Sequence, residues 1–277
     1  MVERLVPDEL RTLFRRVLPP TEVIRPQGGG ERRAGNRECL AAITFVATSG
    51  YTWRQLPPVF GPAWPTVYRR FAQWSRDRVW ARLHRVVLDE LGARGELDWS
   101  RCAIDSVSVR RQRGPLTGPN PTDRGKSGSK IHLITDWNGL PLSLGISGTN
   151  VHDSLSLEPL VRGISPIRSR RGPSRRRLAK LHADKSYDYD HLRTWLRERR
   201  IRHRIAPKGI ESFTRLGRHR WVLERTVSWL AACRRLHHRY ERRAEHFLAF
   251  VCIAAALISY RRPAGQHSKV SANRRGE

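Results

Sequence analysis

The sequence predicts an all-α amino-terminal region followed by an α/β domain in which helices flank a mixed sheet. Three observations support this fold class. Apolar residues recur at helical spacing up to about residue 98. From residue 101 onward, short β-branched runs alternate with helical segments. A chain of 277 residues is also long enough to bury a substantial core.

The amino-terminal region is predicted to consist of helices joined by turns. Residues 7–18 have the pattern of a short amphipathic helix. Residues 37–49 repeat apolar side chains at helical spacing, and Gly50 ends that helix. A further helix, with many apolar positions, is predicted over residues 78–97.

A basic helix lies between these two and begins near Pro65, a residue favoured in the first turn. Its apolar face carries Phe71 and Trp74, and we expect Arg69 and Arg70 on the exposed side. A helix, a short turn and a basic helix are typical of a helix-turn-helix that binds DNA. The alternative is a three-helix bundle with a purely structural role.

The α/β part begins with the alternating strand that contains Asp105, and its hairpin turn is marked by Asn138-Gly139. A strand, a hairpin and then alternating helices and strands are the order of a ribonuclease H-like sheet, whose first strand lies centrally beside the fourth. The predicted elements are a strand (101–110), a polar loop (111–129), a hairpin (130–136 and 140–148), a helix (153–163), a strand (178–184), a helix (189–200), a strand (201–207), a long basic helix (218–243) and a last apolar helix (244–262).

The chain is strongly basic: 53 Lys and Arg residues against 25 Asp and Glu residues give a net charge of +28. Such a field attracts polyanions, and arginine binds phosphate through a planar fork. A GC-rich genome would also enrich arginine, but it would not explain the excess of positive charge. Nucleic acid is therefore the favoured partner, ahead of an anionic membrane surface.

Cysteine usage and hydropathy indicate a cytoplasmic protein. The four cysteines lie far apart without a CxxC pair, which argues against disulfides or zinc. The longest apolar run, Phe247 to Tyr260, has 14 residues, whereas a membrane span needs about 20. We expect it to be a buried helix.

Three acids lie among apolar neighbours, where a charged side chain is unfavourable. Asp105 lies inside an apolar strand, Asp184 at the end of another, and Glu224 on a mostly apolar helix face. If the two strands are neighbours, their carboxylates repel unless they share a proton or a cation. Mg²⁺ prefers carboxylate oxygens and accepts phosphate as a further ligand. Two such ions can assist displacement at phosphorus.

Several stretches, in this order, carry a resemblance to a known family. They are "GYTWRQLPPVFGPAWPTVYRRFAQWSRDRVW", "AIDSVSVR", "GPNPTDRGKSGSKIHLITDWNGLPLSLGISGTNVHDS", "LHADKSYDYDHLR" and "RHRWVLERTVSWLAACRRLHHRYERR". Over residues 31–262 the chain resembles a DDE transposase of a bacterial insertion sequence, in the insertion-sequence-five-like group. The resemblance implies a ribonuclease H-like catalytic domain that uses Asp105, Asp184 and Glu224.

The resemblance also implies cofactors and partners. The three acids would bind two Mg²⁺ (or Mn²⁺) ions, the amino-terminal helices would bind the element's terminal inverted repeats, and a homodimer or larger assembly would join the DNA ends. The family usually has glycine where this chain has Ser186, so a positive φ there would strain the turn. The predicted DNA contacts are Arg69, Arg70, Arg76, Lys126, Lys130, Lys185, Arg225, Arg234, Arg235 and Arg239.

Other side chains have more than one interpretation. Asp153 or Ser154 is expected to cap the helix that follows, and His182 to pack within its strand. Trp137 is a candidate for base stacking, although most tryptophans fit a core. The predicted divisions are residues 1–25 (helix), 26–36 (linker), 37–98 (helix-turn-helix-like), 99–262 (catalytic) and 263–277 (disordered tail).

Two other functions remain open from sequence. A nuclease would have the same site without a joining step. A non-catalytic DNA-binding protein or repressor, such as a decayed copy of the enzyme, would use only the amino-terminal helices.

Overall fold

The computed structural model describes residues 1–20, 34–111, 114–208, 222 and 224–261. Most of the predicted linker, the predicted tail at 263–277 and the start of the predicted long helix lie outside the described residues. The helices are α1 (Val2–Leu5), α2 (Asp8–Arg15), α3 (Asn36–Ser49), α4 (Trp64–Arg76), α5 (Val79–Arg94), α6 (Leu157–Gly163), α7 (Asp190–Glu198), α8 (224–231) and α9 (Ala244–Arg261). The strands are β1 (Cys102–Arg110), β2 (Gly118–Pro119), β3 (Ser127–Thr135), β4 (Pro141–Gly148), β5 (Lys180–Ala183) and β6 (Arg202–Ile205).

The amino-terminal helices match the sequence pattern closely. Helix α3 ends at Gly50, whose φ of 76° is a left-handed conformation that glycine adopts without strain. Helix α4 has Pro65 in its first turn, as predicted. Helix α5 follows after a single short turn and ends at Gly95, again in a left-handed conformation.

The sheet has the predicted ribonuclease H-like topology. Strand β1 pairs with β3 on one side, antiparallel, and with β5 on the other, parallel. Strand β4 extends the sheet beyond β3, and β6 extends it beyond β5, so that β1 is central. Strand β2 was not predicted; it pairs with the first two residues of β3 and is too short to leave a pattern.

Helix α9 forms the centre of the core. It packs against α5, α4 and α3 and against strand β4. The helix is long and apolar enough to span a membrane (mean hydropathy 1.4), but 72% of that segment is buried inside the protein. This burial confirms the prediction of a core helix. The amino-terminal helices and the sheet contribute to one hydrophobic cluster, so the predicted boundary near residue 98 is not a break in the core.

The predicted long basic helix over residues 218–243 is wrong in its second half. Helix α8 ends at residue 231, a 3-10 turn follows at Arg234–Leu236, and the chain then runs beside β1, where His238 bridges to Arg110. Two buried arginines hold this irregular path. The Nε atom of Arg235 donates to Glu241 at 2.8 Å, and Nη1 of Arg239 donates to Ser129 at 2.7 Å.

Candidate active site

Strands β1 and β5 are neighbours, and two of the three predicted acids follow their paired residues. Cys102 pairs with Leu181 and Ala103 with His182, in parallel register. Asp105 and Asp184 each follow the second pair by two residues, Asp105 within β1 and Asp184 just beyond β5. Residues two apart on a strand face the same side and neighbouring strands are about 4.8 Å apart, so this register predicts that the two carboxylates lie at the same height.

Local hydrogen bonds orient both carboxylates. Asp105 is half-buried, and its Oδ1 atom accepts from the amide of Ser106 at 2.8 Å. Asp184 is exposed just beyond β5 and caps a 3-10 turn; its Oδ1 atom accepts from the amide and hydroxyl of Ser186 at 2.9 and 2.5 Å. Ser186 does not have a positive φ, so the predicted strain is absent.

Tyr187 is buried directly after Ser186. Burial raises the pKa of its hydroxyl well above the usual range, and the negative charges of Asp153, Asp105 and Asp184 raise it further.

Asp153 has a different role from the one predicted. The helix cap is His152, whose Nδ1 atom accepts from the amide of Ser154 at 3.3 Å. The carboxylate of Asp153 instead accepts from Lys130 at 2.9 Å and from the Ser106 hydroxyl at 2.8 Å. Asp153 thus links β3 to the residue that follows Asp105, and the predicted cap is wrong.

Glu224 is exposed at the start of the described part of α8, and this helix is fastened to the β3–β4 turn. Arg225 donates to the carbonyl of Asn138 at 2.7 Å, and the Thr226 hydroxyl donates to that of Gly139 at 2.8 Å. Gly139 has φ +82°, and a Cβ there would lie 2.7 Å from the Thr226 hydroxyl. Glycine is therefore required for this close approach.

The donor chemistry of the two aspartates fits a divalent cation: both are carboxylates, Asp105 half-buried on β1 and Asp184 exposed directly after β5. Within the described residues, no three His, Cys, Asp or Glu side chains are grouped closely enough to hold a metal ion. The structure therefore does not bring all three predicted ligands together, and the ligand set stays a prediction.

Three predicted DNA contacts are buried, so the prediction that they face solvent is wrong. Arg70 follows Val67 by three residues and precedes Trp74 by four, which puts it on the inner face of α4. Its guanidinium lies 5.8 Å from the Trp74 ring. The other two, Arg235 and Arg239, are held by the interior hydrogen bonds of the 232–243 segment.

The remaining predicted contacts fall into two groups. Lys130 and Arg225 are half-buried and bonded to Asp153 and Asn138, which corrects their assignment as open phosphate contacts. Those that are exposed are Arg69, Arg76, Lys126, Lys185 and Arg234.

Two residues at the β3–β4 turn behave differently from expectation. Asp136 was not singled out, yet it is fully buried and accepts from the amides of Asp98 and Leu140. Burial raises its pKa to about 7, although these hydrogen bonds oppose the shift. The sequence did contain a signal for Asp136, since an acid that directly precedes the hairpin turn Trp-Asn-Gly can hold that turn by hydrogen bonds.

Trp137, the candidate for base stacking, is half-buried with the Arg101 guanidinium 5.1 Å from its ring.

The sheet topology agrees with the class of DNA-processing enzyme that the resemblance implied, and comparisons with known proteins agree. The family "Transposase DDE domain" matches residues 99–258, and "Putative transposase of IS4/5 family" matches residues 6–84. The first match covers more than half of the chain. The protein therefore belongs to the DDE transposases, and it is an enzyme that cuts DNA and transfers strands.

Two curated proteins of Burkholderia cepacia are similar to it. The "Putative transposase for insertion sequence element IS402" is 46% identical over 160 residues, which are 58% of this chain and 74% of that protein. An uncharacterized 16.2 kDa protein of the same element is 39% identical over 111 residues, or 40% of this chain and 76% of that protein.

A solved structure shares the fold. It is the piggyBac transposase in a synaptic complex with hairpin DNA, determined by cryo-EM. The TM-score is 0.52 at 11% identity, and the match covers 98% of this chain and 75% of that one. The likeness supports the ribonuclease H-like architecture.

Proposed function

We propose that this transposase cuts and joins the terminal inverted repeats of its own insertion sequence with Mg²⁺, using two ions per site. The observation that carries the proposal is the parallel pairing of β1 with β5, whose register predicts matching heights for Asp105 and Asp184. Carboxylates on neighbouring strands repel unless a cation lies between them, and the phosphodiester brings further negative charge.

Asp105 and Asp184 would hold the metal, and Glu224 would supply the third carboxylate. Bound divalent ions would neutralise charge on the phosphodiester and activate the attacking oxygen. Hydrogen bonds within the chain orient the two carboxylates. The Ser106 amide donates to Asp105, and the Ser186 amide donates to Asp184. A ligand with one oxygen already fixed loses less freedom when the metal binds.

The DNA would be held by exposed basic residues in both parts of the chain, namely Arg69, Arg76, Lys126, Lys185 and Arg234. We propose at least a homodimer, because two element ends must be brought together. We also propose that the protein acts in the bacterial cytoplasm, at the nucleoid, where its DNA substrate lies. Salt should weaken binding steeply, by about 10³–10⁵ between 50 and 200 mM for six to ten phosphate contacts.

The test is a strand-transfer assay with the DNA that flanks the gene. We expect Asp105→Asn to abolish cleavage and joining while end binding stays intact, because the amide cannot replace a charged ligand. Asp190→Asn is the matched control, because it makes the same substitution at an exposed carboxylate in the first turn of α7, six residues beyond Asp184. Full Mg²⁺-dependent strand transfer by Asp105→Asn would refute the ligand assignment.

The same assay separates the alternatives. Cleavage without joining would identify a nuclease. Binding without cleavage, in Mg²⁺ or Mn²⁺, would identify a repressor or an inactive copy of the enzyme.

A further inference from the structure

We propose that a surface of exposed aromatic rings among arginines stacks on unpaired bases of the DNA substrate. It lies where the amino-terminal helices meet the 232–243 segment, and we call it the aromatic surface. Its exposed rings are Tyr51, Trp64, Tyr68 and Tyr240. The proposal rests on the proposed function only for the nature of its ligand, DNA.

The exposure of these rings is unusual in this protein. Their exposed fractions are 47% for Tyr51, 38% for Trp64, 37% for Tyr68 and 55% for Tyr240. In the part of the chain that the structure describes, every other Phe, Tyr and Trp side chain is buried or half-buried. The exposed aromatic area is therefore concentrated in one region.

Arg235 connects the backbone of Tyr51 to the ring of Tyr240. Its Nη1 atom donates to the carbonyl of Tyr51 at 3.0 Å, and its guanidinium lies 4.9 Å from the Tyr240 ring. The segments that carry Tyr51 and Tyr240 therefore meet at one buried arginine. The same guanidinium lies 5.5 Å from the Phe250 ring, which continues the aromatic contacts inward.

Trp53 extends these contacts to α4. Its ring centroid lies 6.0 Å from that of Phe250 and 5.5 Å from that of Tyr68. Trp64 precedes Tyr68 by four residues on α4, so the two rings share a face of that helix. Contacts through Trp53, Phe250 and Arg235 thus connect the elements that carry the four exposed rings.

Charge favours a nucleic acid over a protein as the occupant. No Asp or Glu occurs between residues 39 and 76 or between residues 225 and 240. The acid in the neighbouring segment, Glu241, is buried against Arg235, and Glu245 pairs with Arg243. Protein interfaces deplete charge at their centre, whereas aromatic rings between cations suit unpaired bases and their phosphates. Exposed arginines on these elements are Arg54, Arg69, Arg234 and Arg242.

The aromatic surface is within reach of the candidate active site. His238 bridges to Arg110 at the end of β1, and the Arg239 amide donates to the Arg110 carbonyl at 3.1 Å. Arg110 lies five residues beyond Asp105 on β1, or about 16 Å at 3.3 Å per residue. That is about five stacked bases, so one DNA strand could contact both sites.

The test is a binding measurement without metal. Two fluorescein-labelled duplexes of identical sequence are compared by anisotropy in EDTA, one blunt and one with an unpaired thymidine tail. We expect the wild-type protein to prefer the tailed duplex by about 5- to 150-fold for each stacked base. Tyr240→Leu and Tyr68→Leu should reduce this preference, whereas Tyr240→Phe, which keeps the ring, should retain it.

Leu155→Ala is the control, since Leu155 is 66% exposed and lies in the 3-10 turn Asp153–Ser156, outside the elements that carry the four rings. The proposal is overturned if the wild-type protein shows no preference for the tail, or if both leucine variants keep it. It is also overturned if those variants change only the oligomeric state in sedimentation, which would identify a protein interface. If the wild-type protein prefers the tailed duplex but shows no strand transfer, that result would count against the proposed function and not against the aromatic surface.

Discussion

The two halves of the candidate site are built in different ways. Asp105 lies on β1 and Asp184 directly follows β5, and the pairing of these strands limits their relative height, since a slip of one residue would turn each side chain to the other face. Glu224 lies on a helix attached to the sheet by side-chain contacts with one turn. The positions of Asp105 and Asp184 should therefore tolerate substitutions nearby. The position of Glu224 should depend on the β3–β4 turn, to which its helix is attached.

The largest change in stability should come from Asp136, the buried acid of that turn. Its pKa of about 7 in the folded protein exceeds the ordinary 3.8, so folding takes up a proton between these pH values. The contribution of protonated Asp136 to the free energy of unfolding is complete below about pH 4 and is lost as the pH rises through 7. The full shift of its pKa corresponds to a contribution of at most roughly 4 kcal/mol.

We expect the free energy of unfolding of the wild type to fall more between pH 4 and pH 8 than that of Asp136→Asn. Urea unfolding at several pH values measures both curves, and the difference between them isolates this group. Parallel curves would show that Asp136 is ionised in the folded protein.

The next largest effect is expected at Gly139. Alanine there would be strained at φ +82° and would press on the Thr226 hydroxyl, at a cost of about 1–3 kcal/mol. Gly61→Ala is a matched control, because Gly61 has φ +87° but open space around a Cβ. We expect both variants to lose stability and only Gly139→Ala to lose strand transfer at saturating DNA. Equal strand transfer by the two would mean that this turn does not position α8.

The smallest effect is expected at Ser186. Ser186→Ala removes the hydroxyl that binds Asp184 but keeps the amide, so we expect a loss of about 0.5–1.5 kcal/mol in orienting that carboxylate. Strand transfer should fall several-fold. Ser186→Gly should behave likewise, since the backbone there has no positive φ. A gain of activity in Ser186→Gly would show that serine weakens this copy.

The sheet and its aspartates could be predicted from sequence because their signals are local. Alternating β-branched residues mark β1, and an acid that ends a mostly apolar strand is visible at Asp184. The order of elements then constrains the topology to one in which β1 and β5 are neighbours.

The arginines show where sequence reasoning fails. Arg69 and Arg70 are adjacent and chemically identical, yet one is exposed and the other buried. Arg235 was predicted to face phosphate, but a carboxylate six residues away holds it inside the core. Composition alone makes this long basic stretch look helical. It does not reveal buried Arg–Glu pairs such as Arg235–Glu241, because these form only when the chain folds back on itself. The irregular 232–243 segment could not have been predicted for the same reason.

The central claim is that Asp105 and Asp184 hold a divalent metal together. Iron-mediated cleavage tests it without activity or DNA: Fe²⁺ with ascorbate and peroxide generates radicals that cut the backbone beside a bound ion. We predict cuts near residues 105 and 184 that excess Mg²⁺ suppresses and that Asp105→Asn or Asp184→Asn removes. Cuts elsewhere in the chain, or cuts that persist unchanged in both variants, would contradict the account.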